Sequence, residues 1–139
     1  TKQPTAWTQV ILNFVKLKIN VMRDYRKLVV WEKAHKLVLL IYGITKAFPH
    51  EERYGLTSQI KRAAISTPTN IAEGCGRQTQ KDFAHYLQNA FGSMQEVQYL
   101  SYLSFELKYL DASTYTTLEN SISEVKAMLM GLIHKVRKL

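Results

Sequence analysis

Leu118, Ile122, Val125, Leu129, Leu132, Val136 and Leu139 recur at alternating spacings of four and three. The repeat puts one apolar side chain per turn on a single seam, the pattern of a long helix packed against other helices. Three prolines and six glycines in 139 residues are too few for a many-turned sandwich or barrel. A chain of this length fits one domain, and 46% hydrophobic residues are enough for a core. The expected fold is therefore all-α, an up-down bundle of four long helices.

Upstream of that seam the helical spacing is read three more times. A first helix is expected over about residues 28–47, where Trp31, Ala34, Val38, Ile41, Thr45 and Phe48 follow three-four spacing, widened by Leu37, Leu40 and Ile44. Pro49 pushes the residue before it out of the helical region and ends the run. A second helix is expected to begin near Glu51 or Glu52 and to bury Leu56, Ile60, Ala63, Ala64, Thr67 and Ile71. Pro68 lies inside this pattern and implies a kink, or an end and restart; Gly74 and Gly76 read as its C-cap. The third helix is expected from about Thr79, as N-cap, to Lys108. Its core stripe is Phe83, Leu87, Ala90, Met94, Val97, Ser101 and Ser104, with a second, rotated stripe of Phe91, Tyr102, Phe105 and Tyr109. Two apolar faces exceed what one core requires, so the second is a candidate oligomer or partner surface.

Residues 1–21 read differently. Val15, Leu17, Ile19 and Val21 alternate with Lys16, Lys18 and Asn20, a period of two that favours a strand with nothing to pair with. They are taken as an extension that folds only against something else, and residues 22–139 as the bundle domain. No membrane partner is expected. A span needs about 20 mostly apolar residues, whereas the run over 10–15 is broken by Asn13 and stopped by Lys16. The single cysteine, Cys75, leaves no intramolecular disulfide and suits a cytoplasmic setting.

The net charge of +8 is unevenly spread. Residues 1–81 hold 14 Lys or Arg against 5 Asp or Glu, and residues 82–139 hold 5 against 6. Arg23, Arg26, Lys27, Lys33, Lys36, Lys61, Arg62, Arg77 and Lys81 are the candidate contacts to an RNA or DNA backbone, since phosphate neutralisation needs positive charge but no fixed geometry. A solvated surface that keeps the chain soluble explains the same charge. Nothing assembles into a catalytic or metal set. His35, His50, His85 and His134 fall on different elements, Cys75 follows a helix end with no base in reach, and the glycines lack a phosphate-loop pattern. No cofactor is expected, and no enzyme.

From Phe48 to Arg77 the residues form a recognisable pattern. Phe48-Pro49, Glu52, Tyr54-Gly55-Leu56, Gln59-Ile60, Arg62-Ala63-Ala64 and then Ser66-Thr67-Pro68-x-Asn70-Ile71-Ala72-Glu73-Gly74 resemble the bacterial four-helix bundle proteins known as S23 or 23S rRNA intervening-sequence proteins. Val30-Trp31 and Phe91-Gly92-Ser93-x-x-Glu96 extend the match over about residues 24–139. The resemblance implies a ring-like homo-oligomer, commonly a pentamer, with no catalytic activity attached. Related basic proteins accompany reverse transcriptases of diversity-generating retroelements, so such an enzyme or another protein is an implied partner besides RNA or DNA. Gln59, Arg62, Asn70, Glu73 and Gly74 are its motif residues. The readings favoured for them are structural: Asn70 and Glu73 bonding backbone freed by Pro68, Arg62 pairing with Glu73 between turns or across subunits, and Gly92 and Ser93 letting a helix come close. Thr67 replaces the usual aliphatic residue, which should loosen packing slightly.

Overall fold

The computed structural model describes residues 2–139, apart from the side chains of residues 18–22. Among the described residues there are five helices and no strand: α1 (Ala6–Arg23), α2 (Val29–Thr45), α3 (Leu56–Cys75), α4 (Gln80–Glu106) and α5 (Ala112–Arg137), with 3-10 turns at Tyr25–Lys27 and His50–Glu52. The four expected helices are α2–α5. α1 overturns the strand reading of residues 15–21. Thr5 caps it, its Oγ1 accepting from Thr8 N at 3.2 Å and its carbonyl from Gln9 N at 3.0 Å. Trp7, Val10, Ile11, Phe14 and Leu17 carry a helical spacing that outweighs the short period-two run.

Local chemistry sets the other boundaries. Thr79 Oγ1 accepts from Asp82 N at 3.0 Å and starts α4, as expected, and Asp111 Oδ1 accepts from Thr114 N at 2.7 Å to start α5. Glu52 does not open a helix. It sits in the 3-10 turn and its Oε2 accepts from Leu56 N at 2.9 Å, so the acid satisfies the first turn of α3 from four residues upstream. α4 ends with Lys108 in the left-handed region (φ 65°), Lys108 N bonding Phe105 O and Tyr109 N bonding Ser104 O at 2.9 Å. That is a glycine-type helix stop made without glycine.

α2 packs on α3 and α5, and α4 packs on the same two helices, so α2–α5 close a cycle around one core. The core stripes of α3 and α4 are buried as read. In α5 the seam drifts: Ile133 is buried while Leu132 is only partly covered and Leu139 is exposed. A straight helix turns every 3.6 residues, so a strict alternating repeat leaves its own face after a few turns. Ser101 is buried in the α4 stripe with no hydrogen-bond partner for its hydroxyl.

The helices alternate in direction. Trp31 and His35, near the start of α2, share a groove with Ala72 and Glu73, at the end of α3. Gln80 and Lys81, starting α4, share a hollow with Val136 and Arg137, ending α5. At the other end Phe48 meets Tyr109 with ring centroids 5.5 Å apart. The near pole thus holds the start of α2 and α4 and the end of α3 and α5; the far pole holds the His50–Glu52 turn and the α4–α5 connection.

The family-type motif in α3 turns out to govern the α3–α4 contact. α3 passes through Pro68 without ending, so the end-and-restart alternative is set aside. Asn70 Nδ2 donates to Ser66 O at 2.8 Å and to Ser66 Oγ at 3.0 Å, not to Ala64 O, the carbonyl that a proline at 68 leaves without its helical donor. Ser93 Oγ on α4 lies 2.9 Å from Ser66 Oγ and ties the two helices. Gly74 is inside α3 rather than its cap. A Cβ there would lie 2.9 Å from Tyr86 Cβ and 3.0 Å from Phe83 Cδ1. Gly76 is the C-cap, with an ordinary negative φ. Gly92, expected to admit a neighbouring helix, has nothing within 4 Å of its Cβ position. Thr67 is fully buried, its Oγ1 3.5 Å from Ala63 O. These positions separate two glycines on adjoining helices: Gly74→Ala is expected to cost about 1–3 kcal/mol through overpacking, and Gly92→Ala to add about 0.5–1 kcal/mol by stiffening an open helical site, both read from urea unfolding.

Candidate nucleic-acid interface

The alternating helix directions sort the charges by pole. Residues 23–36, 73–85 and 134–139 form the near pole and hold ten Lys or Arg against four Asp or Glu, with Lys33 and Lys36 at its edge beside Glu124 of α5. Residues 43–62 and 102–119 meet at the far pole and hold five against five. The near pole carries Arg23, Arg26, Lys27, Lys33, Lys36, Arg77 and Lys81 of the residues read from sequence. It adds Lys135, Arg137 and Lys138 at the end of α5. The place of Arg137 beside Lys81 follows from α5 running back along α4, a consequence of topology that composition by halves cannot reveal. Lys61 and Arg62 stand apart, toward the far pole on α3.

These cations are held to different degrees. Arg23 donates to Gln78 O at 3.3 Å and lies over the Phe83 ring at 5.6 Å. Arg77 donates to Tyr86 OH and lies over that ring at 4.5 Å. Lys33 pairs with Glu124 of α5 at 2.7 Å and Lys36 with Glu32 at 3.1 Å. Both pairs are solvent-exposed, and such pairs are worth at most about 1 kcal/mol, so a phosphate competes for them readily. Lys61 lies 4.6 Å from the Tyr42 ring centroid. A hollow of about 460 Å³ opens at the near pole between Gln80, Lys81, Ala84, His85, Gln88, Val136, Arg137 and Leu139, with Arg137 reaching Gln88 Oε1 at 3.5 Å. Lys81 and Arg137 on one rim suit an anionic group.

The remaining candidates divide. Gln59 and Arg62 are exposed on α3, and no ion pair joins Arg62 to Glu73 among the described residues. Eleven residues of helix separate those two by roughly 16 Å, beyond any contact within the chain. Glu73 instead rims an apolar groove of about 390 Å³ lined by Tyr25, Trp31, His35, Val38, Ile65 and Pro68. There Trp31 stacks on His35 at 5.1 Å. Of the second α4 stripe, Phe105 stacks on Tyr115 at 4.5 Å and Tyr109 meets Phe48. Phe91 packs against the core under Lys126. Only Tyr102 stays exposed, its hydroxyl 2.6 Å from Glu106 Oε1, a bond that raises the phenol above its ordinary pKa.

Among the described residues no three His, Cys, Asp or Glu side chains are placed to hold a metal ion, and no helix is long and apolar enough to cross a membrane. The Cys75 thiol is buried, and that burial pushes it up to about 11, with Arg23 opposing and Asp24 adding to the effect.

A helical protein with one basic pole and a nearly balanced remainder is what the fold and this surface define. The chain belongs to the 23S rRNA-intervening sequence protein family, whose model matches residues 26–131. It is also similar to the crystal structure of a protein of unknown function from the S23 ribosomal protein family of Bacteroides thetaiotaomicron. That structure is 24% identical, covers 76% of this chain and 98% of its own, and gives a TM-score of 0.71. No curated protein matches. α1 precedes the matched region.

The buried thiol sets a rate. At pH 8 a thiol reagent is expected to label Cys75 about a hundredfold more slowly in the native chain than in the unfolded one, because only the thiolate attacks. The native rate should rise about tenfold per pH unit until the pH approaches the native pKa, as a stopped-flow pH series would show.

Proposed function

We propose that this protein is a non-enzymatic homo-oligomer that binds the backbone of RNA or DNA through its near pole. The observation that carries the reading is the charge segregation: ten cations against four acids at one end, an even balance at the other. Exposed Lys and Arg gathered on one surface neutralise phosphates and release counterions without needing base-specific geometry. A cyclic assembly such as a pentamer would repeat the pole around a ring and multiply its contacts with a long polyanion. The seven near-pole residues read from sequence fit this role together with Arg137. A kink of α3 at Pro68 and closure of α2–α5 as an up-down bundle belong to the same reading.

A second reading, a protein-interaction scaffold in contact with a reverse transcriptase or another polypeptide, is favoured by a specific surface. Tyr99, Tyr102 and Leu107 remain exposed along the later half of α4. On that reading Tyr102 is the interface residue, while Phe91 is packed on the core, Phe105 on Tyr115 and Tyr109 on Phe48.

The test is a titration with single- and double-stranded RNA and DNA, with oligomer mass measured on the same sample. Affinity should fall roughly a thousandfold between about 50 and 200 mM salt, the response of a site making about six phosphate contacts. Lys81→Glu combined with Arg137→Glu should remove most of it, whereas Lys61→Glu combined with Arg62→Glu should leave most in place. An oligomer that ignores every nucleic acid at low salt, yet captures a protein insensitively to nuclease, would replace this reading with the scaffold.

A further inference from the structure

α1 is an amphipathic helix whose apolar face is left largely open. Trp7, Val10, Ile11, Phe14 and Leu17 fall on one side at three-four spacing, and each is between 58 and 79% exposed. Gln9 and Lys16 stand on the opposite side, together with Leu12, which is less exposed at 44%; Asn13 flanks the stripe and its Oδ1 accepts from Gln9 at 3.0 Å. The helix meets the body at α3 and the Tyr25–Lys27 turn, with Arg23 reaching Gln78 and Phe83 at its end. The core of α2–α5 is closed without it, and the family match begins only at residue 26. The apolar stripe is therefore not a missing piece of that core.

Charge narrows what the stripe faces. Residues 1–23 contain Lys2, Lys16, Lys18 and Arg23 and no Asp or Glu. Nucleic acid accounts for the cations but leaves five large apolar side chains in water. An acidic protein groove would have to match both stripe and charge along about three turns of helix. An anionic bilayer surface meets both demands with no specific shape. The apolar side enters the headgroup–acyl boundary, Trp7 at the level of the headgroups, while cationic side chains meet lipid phosphates. A lysine near the edge of such a face keeps its ammonium in water by extending its stem.

We propose that α1 is a peripheral membrane anchor that lies in the surface of anionic bilayers. This departs from the expectation of no membrane partner, which rested on the lack of a spanning segment. A helix lying in the interface plane needs a one-sided apolar face, not a continuous apolar run. The proposal does not depend on nucleic-acid binding.

The experiment is co-sedimentation of the full chain with vesicles of phosphatidylcholine alone or with one third phosphatidylglycerol. Partition onto the anionic vesicles should be about a hundredfold stronger and should weaken with salt. Tryptophan emission should shift to the blue on binding, and the shift should be lost in Trp7→Phe. Ile11→Glu and Phe14→Glu should each lower partition at least about tenfold. All three substitutions are at exposed positions outside the core, and an unchanged unfolding curve would verify that the fold is intact. Failure to partition onto anionic vesicles, or equal partition by both Glu variants, would overturn the proposal. If instead those variants lower the oligomer mass of a chain that ignores vesicles, the stripe faces a second copy and the membrane assignment falls.

Discussion

α3 runs so close to α4 that a single added methyl at Gly74 would press on the Tyr86 and Phe83 side chains. Phe83 is itself fully buried at the start of α4, and Ser66 and Ser93 fasten the same helix pair two turns away. Once these two helices are held at that separation, the core stripes of α2 and α5 have only one place to go. The Asn-Ile-Ala-Glu-Gly segment is thus a packing device. Its glycine sets the distance and its asparagine steadies the serine that bridges the gap, while Pro68, two residues upstream, is buried in the face rather than ending the helix.

That geometry also organises the surface. Because each helix reverses the one before, cations scattered through the sequence collect at one end. Lys81 at the start of α4 and Arg137 at the end of α5 are 56 positions apart in the chain and line one hollow. The exposed pairs Lys33–Glu124 and Lys36–Glu32 cost little to open, so the same side chains serve a solvated surface or a polyanion.

Much of this was legible in the sequence, and the exceptions have physical reasons. The buried stripes of α3 and α4 follow directly from spacing, since a helix face repeats regardless of what it packs on. The seam of α5 was traced correctly at Leu118, Ile122, Val125, Leu129 and Val136 but took Leu132 in place of its neighbour Ile133 and added the exposed Leu139, because a strict alternation of fours and threes cannot follow a 3.6-residue helix at every turn. α1 was misread because period two and period 3.6 coexist over residues 15–21, and the Thr5 cap that decides between them lies upstream. Gly74 looked like a helix stop, while the true stop of α4 uses Lys108, a residue with no such signature. The gathering of charge at one pole required knowing which helix ends meet, which no reading by halves provides.

The antiparallel order of α2–α5 has a consequence for how the molecule is handled in space. The first and last helices of the cycle are neighbours, and α2 begins where α5 ends. With residues 1–28 removed, a short peptide joining those two ends would leave the contacts among α2–α5 as they are, and the chain could be reopened in the exposed part of the connection between α4 and α5. Such a permuted protein would keep seven of the ten near-pole cations, losing Arg23, Arg26 and Lys27, but present its tags and fused partners from the opposite end, leaving the charged surface sterically open. Fusions made directly behind Leu139 would crowd it.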